Sequence, residues 1–512
     1  MDPITLPSLS LGNLAVVGLV LGTLWTIARA AYNVFLHPLR RYPGPVVNRA
    51  TVLPRALRQM RGELPFHVAG LHRRYGGVVR VAPDELAFSS PGAWRDIYAR
   101  GMGGGRGEEF PKWRGFYRVF KHLPTSVINA EAGEHGRLRR VLAGGFGERA
   151  MRAQEPIIGA YADLLVKRLR EAVGGGLGKG KGEGEGEGEA RALDLREWYT
   201  WTTFDLIGDL SFGVEGGFGC LERASAHPWV KLINTSIRQQ GRMLGLIALG
   251  LRGPLGWLHK SGVGADNRHK RIVKEKVAQR MKGGDRPDFL DGLIRNKEAL
   301  GLDEGQMATN ASVLILAGSE TSATSLCGVT YFLTTHPKML KRLEREVRTA
   351  FKSEDEITLT SVGKLSFMLA CLNETLRCYP PFVTGAPRYT PKDTIIDGNF
   401  VPAATVFSVY QYAINHDERY WKQPEKFAQE RWMGDPEYKT DQLDAMQPFS
   451  VGPRNCIGRN LAYAEMRLIL AKLVYNFDMS LAAESRHWLQ GQKAYIVWDK
   501  PPLYVHLKPI RP

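Results

Sequence analysis

The ten residues Phe449-Ser-Val-Gly452-Pro-Arg454-Asn-Cys456-Ile-Gly458 constrain this chain more than any other stretch. One thiol lies between two glycines, with an arginine two positions before it and a helix-forming run from Asn460 to Leu470 after it. Glycine lets a backbone approach a flat, bulky group closely. The start of the following helix aims N–H groups back at the sulfur, which favours the thiolate. Arg454 stands where it can neutralise a carboxylate. A fold that obeys this segment must present a turn, a thiolate and a helix start to one planar, acid-bearing partner.

A thiolate held against a planar group with acidic side chains describes a haem-thiolate site. The segment resembles the haem-binding signature of the cytochrome P-450 monooxygenases, Phe-x-x-Gly-x-Arg-x-Cys-x-Gly. The resemblance implies that Cys456 is the axial ligand of the iron of haem b, and that Phe449, Gly452, Arg454 and Gly458 shape its seat. It also implies a mainly α fold with a small β region, the α+β fold of that family, preceded by one N-terminal transmembrane helix.

Five cysteines (Cys220, Cys327, Cys371, Cys378 and Cys456) are scattered over 512 residues, with no Cys-x-x-Cys pair. An odd, sparse set makes a poor disulfide framework and fits a reducing compartment. The chain has no zinc-ligand spacing, no phosphate-loop motif and no nicotinamide or flavin motif. Its formal net charge is +17. The basic residues are spread out rather than gathered on one arm, which argues against nucleic acid and for a membrane surface or an acidic protein partner. A generally basic, solvated surface explains the charge equally well.

Leu11 to Ala28 is nearly all apolar, broken by Asn13 and two threonines. At about 1.5 Å per residue it nearly spans a bilayer core. Asp2 precedes it and Arg29, Arg40 and Arg41 follow, which places the C-terminal side in the cytosol. That basic flank is on the wrong side for a cleaved signal peptide, so the segment reads as an uncleaved anchor. His37-Pro38-Leu39 and Tyr42-Pro43-Gly44-Pro45 read as a stiff, helix-breaking hinge. This arrangement resembles membrane-bound P-450s of filamentous fungi, and implies an endoplasmic-reticulum membrane protein with a cytosolic catalytic domain. The expected organisation is an anchor over 1–31, a Pro-rich hinge over 32–45 and one haem domain over 46–512.

Within that domain, Val78–Val81 and Leu86–Phe88 are short β-type runs. Gly101 to Gly107 reads as a loop. Gly/Lys/Glu repeats from Gly174 to Glu189 bury nothing, so an insertion near 174–190 is expected to be a disordered linker between helices. Residues 495–498 and 503–506 read as a hairpin around Asp499-Lys500-Pro501-Pro502.

Asp303 to His336 is a long apolar-rich run, too polar for a second membrane span. It contains Ala317-Gly318-Ser319-Glu320-Thr321. Glu320 and Thr321 are costly to bury without a task, and an acid and an alcohol beside a bare helix surface can relay protons to bound dioxygen. The run matches the family's Ala/Gly-Gly-x-Asp/Glu-Thr motif. That match implies that Thr321 delivers protons at the distal face and that Glu320 links it to water. Glu374 and Arg377 share one helix face, and buried charges must be paired. They resemble the family's Glu-x-x-Arg, whose third member here is Arg431 in Phe427–Trp432; Gln429 stands where proline is usual. The same resemblance offers Arg454, Arg388, His135 and Arg139 to the haem propionates, with His135 where many relatives have tryptophan.

Substrate walls follow only from the resemblance: the segment from Trp113 to Ile128, Val313, Ala317, Phe382-Val383-Thr384, and Val497. They are mostly apolar, so a lipophilic small molecule is expected. The implied activity is insertion of one oxygen atom from O2 by hydroxylation or epoxidation, in one or several steps, on a polyketide, terpenoid or alkaloid intermediate. Electrons would come from NADPH through a separate reductase on the same membrane, for which Arg459 is a candidate docking contact. Two alternatives stand beside this reading. One is a reductase-independent isomerase or dehydratase using a ready-made peroxide, which needs no proton relay. The other is a non-catalytic membrane haem sensor.

Overall fold

The computed structural model describes residues 11–100, 108–120, 122–174, 192–213, 217–261, 267–284, 286 and 288–510. The loop expected at 101–107 and the Gly/Lys/Glu segment beyond Gly174 lie outside the described residues.

The architecture is organised by the helix Glu304–Thr335, 32 residues long. Its start is fixed by a reciprocal cap. Gln306 N–H donates to Asp303 Oδ1 (2.7 Å), and Asp303 N–H donates to Gln306 Oε1 (3.1 Å). The helix is apolar enough to cross a membrane, but 72% of its most apolar window is buried in protein, so it is a core helix. Helix Leu195–Phe212, itself buried along almost its whole length, packs beside it. A Cβ on Gly318 would sit 3.0 Å from Ile207 Cδ1, so the small residue permits this close approach. Helices Glu148–Val173, Ser366–Cys378 and Arg459–Asn476 complete the main apolar core.

The β region is small, as the sequence leads one to expect. Val78–Ala82 pairs antiparallel with Glu85–Phe88, which runs parallel to Thr405–Val409; that strand pairs antiparallel with Arg388–Thr390. The C-terminal hairpin differs from expectation. Lys493–Ala494 pairs with Trp498–Asp499, whereas Tyr504–Pro509 lies between Ala192–Asp194 and Phe477–Leu481 in another sheet. Pro501 and Pro502 explain this: each fixes φ and lacks an N–H, so the chain runs on instead of folding back.

Helix Leu11–Ala31 has no buried residue, and mean hydropathy over Leu11–Leu36 is 1.8. At about 30 Å it is compatible with a membrane anchor. The hinge is not a simple helix break. Helical turns continue through Tyr32–Leu36 and Pro38–Arg41. Its stiffness comes from cross-links to the sheet: Arg80 donates from its guanidinium to Asn33 O (2.9 Å) and from its N–H to Pro43 O (2.8 Å). Gly44 is pressed against that strand, since a Cβ there would fall 2.4 Å from Arg80 O.

Candidate active site

The cysteine segment folds back on itself. Cys456 N–H donates to Phe449 O (2.8 Å), and Asn455 N–H donates to Gly452 O (3.1 Å). Gly452 has φ +81°, and a Cβ there would lie 1.9 Å from Tyr98 O, so no other residue fits. Gly458 opens helix Arg459–Asn476, and its N–H points at the sulfur. Arg139, on helix Ala132–Ala143, clamps the loop through Asn455 O (2.6 Å) and Asn455 Oδ1. Cys456 is exposed, whereas Cys220, Cys327, Cys371 and Cys378 are buried. One expectation is corrected. The surrounding protein pushes the free Cys456 thiol up from its ordinary range, outweighing the Gly458 N–H, Arg139 and Arg459, which pull it down. Helix-start donors alone do not make this sulfur a thiolate; coordination to a metal ion does.

Beside the sulfur, cations crowd together. His135, buried at 5% exposure, feels Arg454, Lys112, Arg139 and Arg388. Burial first, then Arg454, push His135 down to about 3 and Lys112 down to about 6. Two nearby carboxylates answer them: Glu109, paired with Arg454, and Glu131. The Nε of Arg388 is buried without a partner among the described residues, and its Nη1 makes only long contacts to Tyr117 Oη (3.3 Å) and to the Ala386 and Pro387 carbonyls. Five basic side chains facing two carboxylates call for further negative charge. Haem carries two acidic side chains, so these residues fit that group. Lys112 carried no motif and was not legible from sequence.

On the other side of the core, Val313, Ala317 and Thr321 recur every four residues on one face of Glu304–Thr335. Ala317 is exposed, and Val313 and Thr321 are half-buried, on a helix otherwise sunk in the core. Thr321 Oγ1 donates to Ala317 O (2.7 Å), which leaves its lone pairs free to accept. The neighbouring turn touches the cysteine helix, where Glu465 faces Ser322. Glu320 points elsewhere. It is 3% exposed, forms an ion pair with Lys500, and Lys500 Nζ also donates to Thr324 Oγ1 (2.8 Å). This pair borders a polar cavity of about 280 Å³ lined by Arg196, Glu197, Thr200 and Arg238, which has room for water. Lys500 was missed because it reads as a turn residue. The signal that could have found it is the need of buried Glu320 for a cation.

The ion network is assembled from three places in the sequence. Glu374 Oε1 accepts from Arg377 Nη2 (2.7 Å), Arg431 Nε (3.2 Å) and Ala428 N–H (2.9 Å). Its Oε2 accepts from Arg377 Nε (3.0 Å) and Trp432 Nε1 (2.9 Å). Asp441 pairs with Arg431 and balances the second arginine. The side chains of Glu374, Arg377 and Arg431 are 0% exposed. Gln429, in the usual proline position, donates to Glu430 Oε1 (2.8 Å).

The expected substrate walls are only partly gathered. Phe382 and Val497 form a backbone bridge. Trp113 is half-buried, and Ile128 is exposed. Val383 differs: its side chain is wholly buried in the main core, so it packs there rather than lining a pocket.

The sequence model of the cytochrome P-450 family matches residues 58–507. The chain belongs to the cytochrome P-450 family. It is 45% identical to the cytochrome P-450 monooxygenase tpeC of Talaromyces stipitatus over 97% of this chain and 94% of that protein. It is 41% identical to averantin hydroxylase of Dothistroma septosporum, over 95% of this chain and 90% of the relative. It is 40% identical to trichothecene C-15 hydroxylase of Fusarium sporotrichioides, over 95% and 96%. As a P-450 monooxygenase it is an oxidoreductase that acts on a small molecule with thiolate-ligated haem, O2 and electrons from a reductase. The haem supplies the oxidising chemistry, and a cysteine thiolate favours O–O cleavage. What the protein adds is a seat, the exclusion of water and a supply of protons.

Proposed function

We propose that this P-450 hydroxylates or epoxidises, in one or several steps, a lipophilic intermediate of fungal secondary metabolism. The observation that carries the reading is the exposed Cys456 sulfur, held by the Gly458 N–H and the Arg139 clamp beside an excess of cations. In this reading Cys456 ligates the iron, Phe449, Gly452 and Gly458 shape the loop, and Arg454, Arg388, His135 and Arg139 meet the propionates. Thr321 holds a proton at the distal face, and Glu320 hands protons on from the polar cavity it shares with Lys500. Glu374, Arg377 and Arg431 support the cysteine loop and take no part in the chemistry. Helix Leu11–Ala31 anchors the enzyme in the endoplasmic-reticulum membrane, where lipid and the NADPH-dependent reductase are at hand. The relatives include two named hydroxylases, of averantin and of a trichothecene, which supports a polyketide or terpenoid substrate.

The reading is tested by incubating the enzyme with reductase, NADPH and a panel of fungal polyketides and terpenoids. The expected product carries one added oxygen atom and forms only when reductase is present. Turnover of a peroxide without reductase would favour the isomerase or dehydratase alternative. Haem binding with no NADPH-dependent oxidation of any member would contradict the proposal.

A further inference from the structure

A second, smaller cavity of about 20 Å³ lies between helix Leu53–Arg61, the turn at Trp113–Phe116 and the segment Thr384–Pro387 that leads into Arg388. That volume holds one water-sized group. Its walls combine apolar Trp113, Phe116 and Leu244 with a polar end. There Arg55 Nε and Glu85 Oε2 meet at 2.6 Å, with side chains 8% and 5% exposed. Tyr410 Oη donates to Glu85 Oε1 (3.4 Å). Thr384 is 6% exposed, and its Oγ1 has no partner among the described residues. A buried hydroxyl left unmatched costs about 1–3 kcal/mol, and nothing in oxygen activation uses it.

We infer that this cavity takes the polar end of the substrate, and that the natural substrate is a lipophilic molecule bearing a neutral hydroxyl or phenol that hydrogen-bonds Thr384. The inference rests on the reading of a lipophilic-substrate monooxygenase given above. Thr384 both donates and accepts, as a hydroxyl partner requires. The adjacent Arg55–Glu85 pair is already neutral, so a carboxylate would add an unmatched buried charge, whereas a neutral oxygen adds none. The aromatic walls hold the apolar body next to that oxygen. Thr384 lies four residues before Arg388, so the polar end sits on the strand that also serves the cation cluster.

The test titrates haem-loaded enzyme with matched probes, biphenyl against 4-phenylphenol and naphthalene against 2-naphthol, and follows the ligand-induced change in haem absorbance. Wild type should bind the hydroxylated member up to about tenfold more tightly, as one net hydrogen bond allows. Thr384→Val should erase that preference while leaving the hydrocarbon affinities unchanged, and Thr384→Ser should keep it. The inference is overturned if Thr384→Val retains the preference. It is equally overturned if wild type shows none, whether hydroxylated probes bind no better or do not bind. The reduced carbon monoxide spectrum of each sample separates the two readings. A missing thiolate band in wild type sinks the monooxygenase reading, whereas an intact band without a Thr384-dependent preference sinks only this one.

Discussion

Replacing Glu374 with glutamine removes one charge from a network that has no access to solvent. Two guanidiniums, Arg377 and Arg431, are balanced by two carboxylates, Glu374 and Asp441. Glu374→Gln leaves one net positive charge among side chains that are 0% exposed. It also turns an acceptor of five hydrogen bonds into a group with one oxygen and an NH2 aimed at other donors. Breaking a buried pair in this way costs about 3–5 kcal/mol, against a total stability of about 5–15 kcal/mol for a typical domain. The control is Glu148→Gln. Glu148 pairs with Arg152 while both are more than three-quarters exposed, at 82% and 76%, and losing such a pair costs less than about 0.5 kcal/mol. The assay is the urea concentration at which half the thiolate carbon monoxide band is lost. Glu374→Gln should lower that midpoint by a third or more, or yield no haem-loaded protein, while Glu148→Gln leaves it unchanged. Equal midpoints for the two variants would refute the reasoning.

Thr321→Ala should leave the carbon monoxide spectrum intact but uncouple NADPH use from product, raising peroxide release severalfold; full coupling would remove the proton role. Lys500→Met leaves Glu320 buried without its cation, so a similar loss of coupling is expected with an enlarged solvent isotope effect; unchanged coupling would show that the ion pair is only structural. Glu465 is wholly buried, neither oxygen accepts a well-formed bond although Ser322 faces it, and burial raises its pKa to about 8. Its folded pKa lies above the unfolded value, so the stability it lends is full below about pH 4.5 and lost as pH rises to 8, by about 1.4 kcal/mol per unit. Glu465→Gln should flatten that part of the stability–pH curve, and an unchanged slope would show that the carboxyl is not the titrating group.

The legible features were local in sequence. The cysteine loop needs its ligand, two glycines and a helix start within ten residues, so its geometry is written in one place. The same holds for Ala317–Thr321 and for Glu374 with Arg377, whose spacing sets a shared helix face. Features that depend on distant chain segments were not readable. Lys500 reaches Glu320 across 180 positions, and Lys112 joins the cations from a loop with no motif. The 503–506 strand was assigned the nearer partner, because alternation gives a strand its faces but not its neighbour. Val383 was placed on a pocket wall by analogy with relatives, whereas the fold turns it into the core. Thr384, beside it, kept a buried hydroxyl with no partner, which only the packed structure reveals.

The account stands on the bond between the Cys456 sulfur and iron. Its most direct test is the reduced carbon monoxide spectrum of wild type and Cys456→Ala, prepared with equal haem content. Wild type should show the long-wavelength Soret band of a thiolate ligand and the variant should lack it. A variant that keeps the band, or a wild type that never shows it, would contradict the account.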